Sequence, residues 1–126
     1  MQQTVIIADD APFIRAMLKD ILEDMDWTVT AEACDGREAV DEYVRLRPDV
    51  VMLDITMPDT DGLTACREIL AHDPDARVVM ISALGQRDEV LDAIRCGAAD
   101  FVIKPFEADR VELTLRRIVT RSPQPA

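Results

Sequence analysis

The sequence predicts a doubly wound α/β fold, in which helices cover both faces of a five-stranded parallel sheet. Short apolar runs alternate five times with segments whose apolar residues recur every three or four positions. The connections between these segments are short, and such alternation requires parallel strands joined by helical crossovers. The run from Val50 to Leu53 is apolar throughout, as expected for a strand that is buried on both faces.

Five short segments have the apolar composition of strands, and turn-forming residues bound them. The second segment alternates apolar with polar residues, which favours a position at the edge of the sheet. The predicted strands cover residues 4–8, 27–34, 50–54, 77–82 and 100–104.

Five further segments have the apolar periodicity of amphipathic helices. Pro12 suits the first turn of the first helix, whose apolar face is predicted to begin at Phe13. Val44 is among the residues of the second helix that are predicted to point inward, and Leu91 and Ile94 mark the fourth helix. The segments with this periodicity are 12–25, 38–46, 63–70, 90–94 and 107–121.

Length and composition indicate one globular domain. The chain has 126 residues, of which 48% are hydrophobic and 31% charged. We expect the domain to span residues 1–121, with a short disordered tail at 122–126. The net charge of −11 argues against direct binding to nucleic acid or to an anionic membrane. No signal peptide and no apolar run of roughly 20 residues is present, and no apolar stripe is left over, so a cytoplasmic monomer is expected.

The cysteines and the histidine predict no second reactive site. Cys34, Cys66 and Cys96 are odd in number and lack C-x-x-C spacing. We therefore expect buried or half-buried thiols, and neither zinc ligands nor disulfide partners. His72 lies near the end of a predicted helix and is expected to be a solvated surface residue.

Polar side chains lie where the apolar strands end. Asp9 and Asp10 follow the first strand, Asp54 ends the third, Ser82 the fourth and Lys104 the fifth. Because the carboxyl ends of parallel strands meet at one edge of a sheet, we expect these side chains to converge there.

The converging set has the chemistry of a phosphoryl site. Three neighbouring carboxylates repel one another, which perturbs their pKa values and favours a hard cation such as Mg²⁺. A lysine and a hydroxyl beside them supply a cation and a hydrogen-bond donor for a phosphoryl group. Asp54 is the best candidate for the nucleophile, because it ends a central strand between the acid pair and Lys104.

Each of these residues also has an ordinary structural interpretation. Asp9, Asp10 or Asp54 could cap a helix or form an ion pair. Ser82 could bond the backbone at a strand end, and Lys104 could be an exposed loop cation. Taken together, the ordered set favours the metal and phosphoryl site over these separate explanations.

The ordered set resembles the receiver domains of two-component response regulators. The match covers residues 4 to 120 and includes the acid pair, the acceptor aspartate, the switch hydroxyl and the lysine before Pro105. Phe101 matches the aromatic switch position of that family, although it could also be an ordinary core residue. The resemblance implies a flavodoxin-like (βα)5 fold with the strand order 2-1-3-4-5.

The resemblance also implies a mechanism. A histidine kinase would donate a phosphoryl group to Asp54, with Mg²⁺ held by Asp10, Asp54 and the carbonyl of Thr56, and by Asp9 through water. Phosphorylation would draw in Ser82 and turn Phe101 inward. Such a protein is no enzyme in the usual sense, but a phosphoacceptor that assists its own phosphorylation and dephosphorylation.

The stretches 9–15, 54–58 and 82–86 resemble stand-alone chemotaxis regulators of the CheY type. This narrower resemblance implies a CheA-like histidine kinase, a flagellar motor switch protein as output target and a phosphatase as a further partner. Two departures from the family pattern bear on the strength of switching. Ser82 replaces the commoner threonine and Phe101 replaces the commoner tyrosine.

Two other functions compete with the chemotactic one. A phosphorelay intermediate or a regulator of another kinase would use identical site chemistry outside chemotaxis. A Mg²⁺-dependent phosphohydrolase of the haloacid dehalogenase type would need a second acid two residues after its nucleophile, where this chain has Thr56.

Overall fold

Strands and helices alternate along the whole described chain, which in the computed structural model covers residues 3–83 and 87–120. The strands are β1 (Thr4–Ala8), β2 (Thr28–Ala33), β3 (Val50–Asp54), β4 (Val78–Ala83) and β5 (Asp100–Lys104). The helices are α1 (Pro12–Asp24), α2 (Gly36–Leu46), α3 (Gly62–His72), α4 (Arg87–Arg95) and α5 (Ala108–Thr120). The predicted elements are thus confirmed, in the predicted order.

The five strands form one parallel sheet in the order β2-β1-β3-β4-β5. Both the predicted strand order and the edge position of β2 are confirmed. Asp54 pairs with Ile81, and Ala83 pairs with Lys104. The polar residues at the ends of β3, β4 and β5 therefore lie side by side at one edge of the sheet.

Two apolar layers hold the helices against the two faces of the sheet. Alternate residues of β3 point to opposite faces: Val51 and Leu53 join the layer beneath α2, α3 and α4, whereas Val50 and Met52 join the layer beneath α1 and α5. All four are fully buried. Burial on both faces explains why β3 has no polar residue before Asp54.

The helix α2 begins two residues earlier than its periodicity predicts. The side chain of Asp35 accepts a hydrogen bond of 2.8 Å from the backbone N–H of Glu38, so Asp35 is the N-cap. Gly36 then occupies the first helical position, where a Cβ would lie 2.4 Å from the carbonyl oxygen of Thr60. The sequence indicated a break at Asp35 and Gly36, and the same two residues also start the helix.

Some apolar residues that the periodicity placed inward or marked as helical lie at the surface. Phe13 is 73% exposed and Val44 is 40% exposed, so their predicted inward positions are wrong. Among the described side chains of α4, Ala93 is buried, while Leu91 and Ile94 are exposed. When the apolar face of a helix is wider than its contact with the sheet, the residues at the margins of that face are exposed to solvent. Alanine is small and only weakly hydrophobic, so an apolar periodicity does not single it out as the buried residue.

The predictions about the surface and the cysteines also need correction. Leu91, Ile94, Ile103 and Leu113 are exposed, so apolar side chains of α4, β5 and α5 remain at the surface, where no leftover apolar stripe was expected. Cys34 is exposed as well, although a buried or half-buried thiol was predicted. Cys66 and Cys96 are buried and partly buried as predicted, and His72 is exposed.

Some predictions fall on residues outside the described ranges. These are the tail at 122–126, the end of the last helix at residue 121 and the loop residues 84–86. Among the described residues, no helix is both long enough and apolar enough to cross a membrane.

Candidate functional site

Three carboxylates meet at the carboxyl edge of the sheet. One oxygen from each of Asp9, Asp10 and Asp54 lies within 4.8 Å of the others. Asp9 is fully buried and Asp54 is 7% exposed, whereas Asp10 is exposed. The cluster therefore opens to solvent on the side of Asp10.

Lys104 joins two of these acids from the end of β5. Its Nζ lies 2.8 Å from Asp9 Oδ2 and donates a hydrogen bond of 3.0 Å to Asp54 Oδ2. The ammonium group thus links the ends of three strands and neutralises part of the negative charge. An exposed loop cation, the ordinary interpretation of this lysine, does not describe this geometry.

The charge state of the site follows from burial and from these pairs. Burial raises the pKa of Asp54 to about 6, against the opposing effect of the hydrogen bond from Lys104. The negative charge of Asp9 raises the pKa of Asp54 further, and Lys104 and the Thr56 N–H lower it. Burial also lowers the pKa of Lys104, but its contacts with Asp9 and Asp54 outweigh this and hold that pKa above its usual value.

The start of α3 fixes the backbone around Asp54. The backbone N–H of Gly62 donates to the carbonyl of Ile55 at 2.9 Å, and a Cβ on Gly62 would lie 2.1 Å from the carbonyl oxygen of Asp54. Asp61 caps α3 by accepting a hydrogen bond of 2.8 Å from the N–H of Thr64. Glycine is therefore required at position 62 for the helix to approach the strand so closely.

The loop after β1 is fixed from a different direction. Asp9 Oδ1 accepts a hydrogen bond of 2.9 Å from the N–H of Ala11. Arg15 donates to the backbone carbonyl of Asp9 at 2.6 Å and pairs with Glu32 on β2 at 3.1 Å. The sequence analysis assigned no role to Arg15. Its position one helical turn beyond Ala11, near the start of α1, was the only feature that could have indicated its contact with the loop after β1.

The helix-cap interpretation of the first two acids is not observed. Ala11 occupies the N-cap position of α1, and within the described chain it makes no side-chain capping hydrogen bond. Asp9 Oδ2 is buried and accepts no well-directed hydrogen bond from any described residue, although Lys104 Nζ is at ion-pair distance. Three carboxylates with oxygens within 4.8 Å of one another, one of them on an exposed residue, fit a hard divalent cation such as Mg²⁺.

Thr56 lies at the mouth of the cluster. Thr56 is exposed, and its N–H donates a hydrogen bond of 3.1 Å to Asp54 Oδ1. The two oxygens of Asp54 therefore have different neighbours, because Oδ2 faces Lys104. Thr56 is thus a predicted site residue that contacts the Asp54 side chain through its backbone.

Ser82 and Phe101 lie near the cluster without joining it. Ser82 is fully buried, and its hydroxyl donates to the carbonyl of Ala83 at 3.2 Å. The described hydrogen bonds of Ser82 thus match the backbone-bonding alternative. Phe101 is half-buried and lines two cavities of about 340 and 540 Å³. Its N–H donates to Asp100, which pairs with Arg117 of α5 at 2.8 Å.

The chain is similar to chemotaxis and response regulator proteins over most of its length. A family model described as the response regulator receiver domain matches residues 5–116. The chemotaxis protein CheY of Listeria monocytogenes is 55% identical over 107 residues, which cover 85% of this chain and 90% of that protein. The CheY of Thermotoga maritima is 47% identical over 118 residues, covering 94% and 98%.

A solved structure supports the same comparison. In a CheX–CheY–BeF3–Mg complex from Borrelia burgdorferi, the matching chain is 36% identical and superposes with a TM-score of 0.89. The match covers 94% of this chain and 90% of the other. Fold and sequence therefore agree on one kind of domain.

Proposed function

Because this chain belongs to the response regulator receiver domain family, we propose that it is activated by phosphorylation of Asp54. One observation carries the proposal: Asp54 is a buried strand-end carboxylate that has an oxygen within 4.8 Å of oxygens of Asp9 and Asp10 and that contacts Lys104 at 3.0 Å. A carboxylate kept as a simple ion-pair partner would not need two acidic neighbours.

The residues of the chain have distinct roles in this reaction. A carboxylate oxygen of Asp54 attacks the phosphorus of a phosphohistidine, the P–N bond breaks, and the imidazole leaves as the phosphoryl group passes to Asp54. Lys104 supplies positive charge beside the developing phosphoryl oxygens. The hydrogen bond from the Thr56 N–H orients the attacking carboxylate.

A magnesium ion fits the same cluster. Asp10, Asp54 and the carbonyl of Thr56 would hold Mg²⁺ directly, and Asp9 would hold it through water. The ion would supply charge neutralisation to the acids and to the transferring phosphoryl group. The grouping of the Asp9, Asp10 and Asp54 oxygens within 4.8 Å of one another supports this assignment.

Phosphorylation is proposed to act on Ser82 and Phe101. The Ser82 hydroxyl would exchange its bond to the Ala83 carbonyl for one to a phosphoryl oxygen. Phe101 would then turn inward, for which the cavities beside it provide space. The names of the relatives favour a chemotactic output. We propose a CheA-like kinase, a flagellar motor switch protein and a phosphatase as the partners.

The acceptor assignment is tested with acetyl phosphate as the donor. Wild-type protein with Mg²⁺ is expected to gain the mass of one phosphoryl group, and the gain should disappear in Asp54→Asn and when the metal is chelated. Asp59→Asn is the matched control, because Asp59 is an exposed acid five residues away and should still be labelled. Labelling of Asp54→Asn, or none of the wild type, would refute the assignment.

A further inference from the structure

The fold brings together two cysteines that are far apart in the sequence. Cys66 of α3 is fully buried in the apolar layer beneath α2, α3 and α4. Cys96, which directly follows α4, is partly buried and packs against the same layer. Their spacing in the sequence gave no indication of this, and a disulfide role was not expected.

The backbone at the end of α4 lies directly against α3. Gly97 has a φ of 102°, and a Cβ there would lie 2.9 Å from a methyl carbon of Leu70. Leu70 follows Cys66 by one helical turn, so both side chains are on the same face of α3. The stretch that contains Cys96 therefore packs against the face of α3 that contains Cys66.

The neighbouring Cys96 side chain affects the pKa of the Cys66 thiol. Burial raises the pKa of Cys66, and a side-chain hydrogen bond with Cys96 raises it further. The Cys96 thiol also donates to the carbonyl of Ala93 at 3.2 Å. Cys66 is thereby kept as a buried thiol, while the more accessible Cys96 is the one that a small oxidant reaches first.

We propose that Cys66 and Cys96 form a reversible intramolecular disulfide when the protein meets a peroxide, so that α3 is joined covalently to the end of α4. Two small thiols could instead serve only to fill the apolar layer. A buried thiol and a partly accessible one in the same apolar layer, where the end of α4 packs against α3, are placed as a resolving and a reacting cysteine would be.

The chemistry balances with hydrogen peroxide as the oxidant. The sulfur of Cys96 attacks one peroxide oxygen, the O–O bond breaks, and the departing hydroxide takes the thiol proton to form water, leaving a sulfenic acid. The sulfur of Cys66 then attacks the sulfur of Cys96 and displaces hydroxide, which takes the Cys66 proton to form a second water. The sulfurs lose two electrons, which reduce the peroxide.

The test uses Cys34→Ser protein, because Cys34 is exposed and would react separately. After treatment with hydrogen peroxide and alkylation under denaturing conditions, we expect neither Cys66 nor Cys96 to be alkylated. Digestion should yield one pair of joined peptides, which dithiothreitol separates. In Cys34→Ser/Cys96→Ala protein no joined pair should form. Two alkylated thiols, or Cys96 oxidised to a sulfinic acid without a bridge, would overturn the proposal.

A second measurement examines the link to α4. Amide hydrogen exchange in α4 should slow several-fold in the oxidised Cys34→Ser protein and stay unchanged in the peroxide-treated Cys34→Ser/Cys96→Ala protein. Equal exchange before and after bridging would refute closure of α3 onto α4. Asp54→Asn protein should form the same bridge, so this proposal stands or fails independently of the phosphoryl acceptor.

Discussion

Asp54 holds its proton more tightly in the folded protein than in the unfolded chain. Its pKa rises from 3.8 to about 6, first because burial disfavours the carboxylate. Between these two pH values the unfolded chain releases the proton and the folded protein keeps it. The stabilising contribution of the protonated group is therefore present in full below pH 3.8 and is lost as the pH rises to about 6.

Replacing Asp54 with asparagine should remove this loss. In the absence of divalent ions, Asp54→Asn is expected to be more stable than wild type at pH 8 by about 1–2 kcal/mol, and the difference should shrink towards pH 4. Urea unfolding at a series of pH values measures it, with Asp59→Asn as the control for the general loss of an acidic charge. A difference that does not change with pH would contradict the raised pKa.

The positions of the site residues could be predicted from the sequence, but the contacts between their side chains could not. Parallel strands present their carboxyl ends together, so Asp9, Asp54 and Lys104 were expected at one edge. Which acids Lys104 would contact depends on the reach and rotamer of a long side chain, which no pattern encodes. The Ser82 hydroxyl donates to the carbonyl of the next residue, Ala83. Nothing in the sequence indicates that it chooses this acceptor over another nearby one.

Among the elements, α3 sets the environment of the acceptor most closely. Gly62→Ala should destabilise the protein by about 2–4 kcal/mol, because the new Cβ would overlap backbone atoms of Asp54 that cannot move aside. Thermal or urea unfolding measures the loss. Thr64→Ala, an exposed change in the same helix, is the control and should have little effect. Equal stability of the two variants would show that α3 can shift away from β3.

Strands and helices differed in how well their buried residues could be predicted. β3 is covered on both faces, so any apolar residue in it is buried whichever way it points. A helix buries one side only, and apolar residues at the margin of that side can be exposed to solvent. Phe13, Val44 and Ile94 were misjudged or left undecided for this reason, since their exposure depends on the exact rotation of each helix.

At the scale of the whole molecule, the main unexpected feature is the exposure of four large apolar residues. These are Leu91, Ile94, Ile103 and Leu113, called the apolar patch below. It lies on α4, β5 and α5, next to the cavities beside Phe101. The expectation of a monomer rested on the absence of a leftover apolar stripe; these exposed residues weaken that premise, and the monomer itself stays a prediction. On a chain with a net charge of −11, an exposed apolar patch suits a partner with an apolar or basic face.

The patch should carry the output contact if the chemotactic proposal is correct. With beryllofluoride as the phosphoryl mimic, Ile94→Lys is expected to weaken binding to a flagellar motor switch protein about tenfold or more. Val44→Lys is the matched control, because Val44 is also an exposed apolar residue but lies on α2, outside the apolar patch. Neither change should lower the unfolding temperature. Equal binding by both variants would place the contact elsewhere.

Lys104 puts a positive charge inside the acid cluster before any ion or phosphoryl group arrives. A divalent ion that enters must share oxygens which the ammonium group already holds. Its affinity is therefore lower than three free carboxylates would give, and it leaves more readily. If Mg²⁺ binds there as proposed, its occupancy would follow the free magnesium concentration around the protein, and the supply of ions would help to set how many molecules are ready to respond.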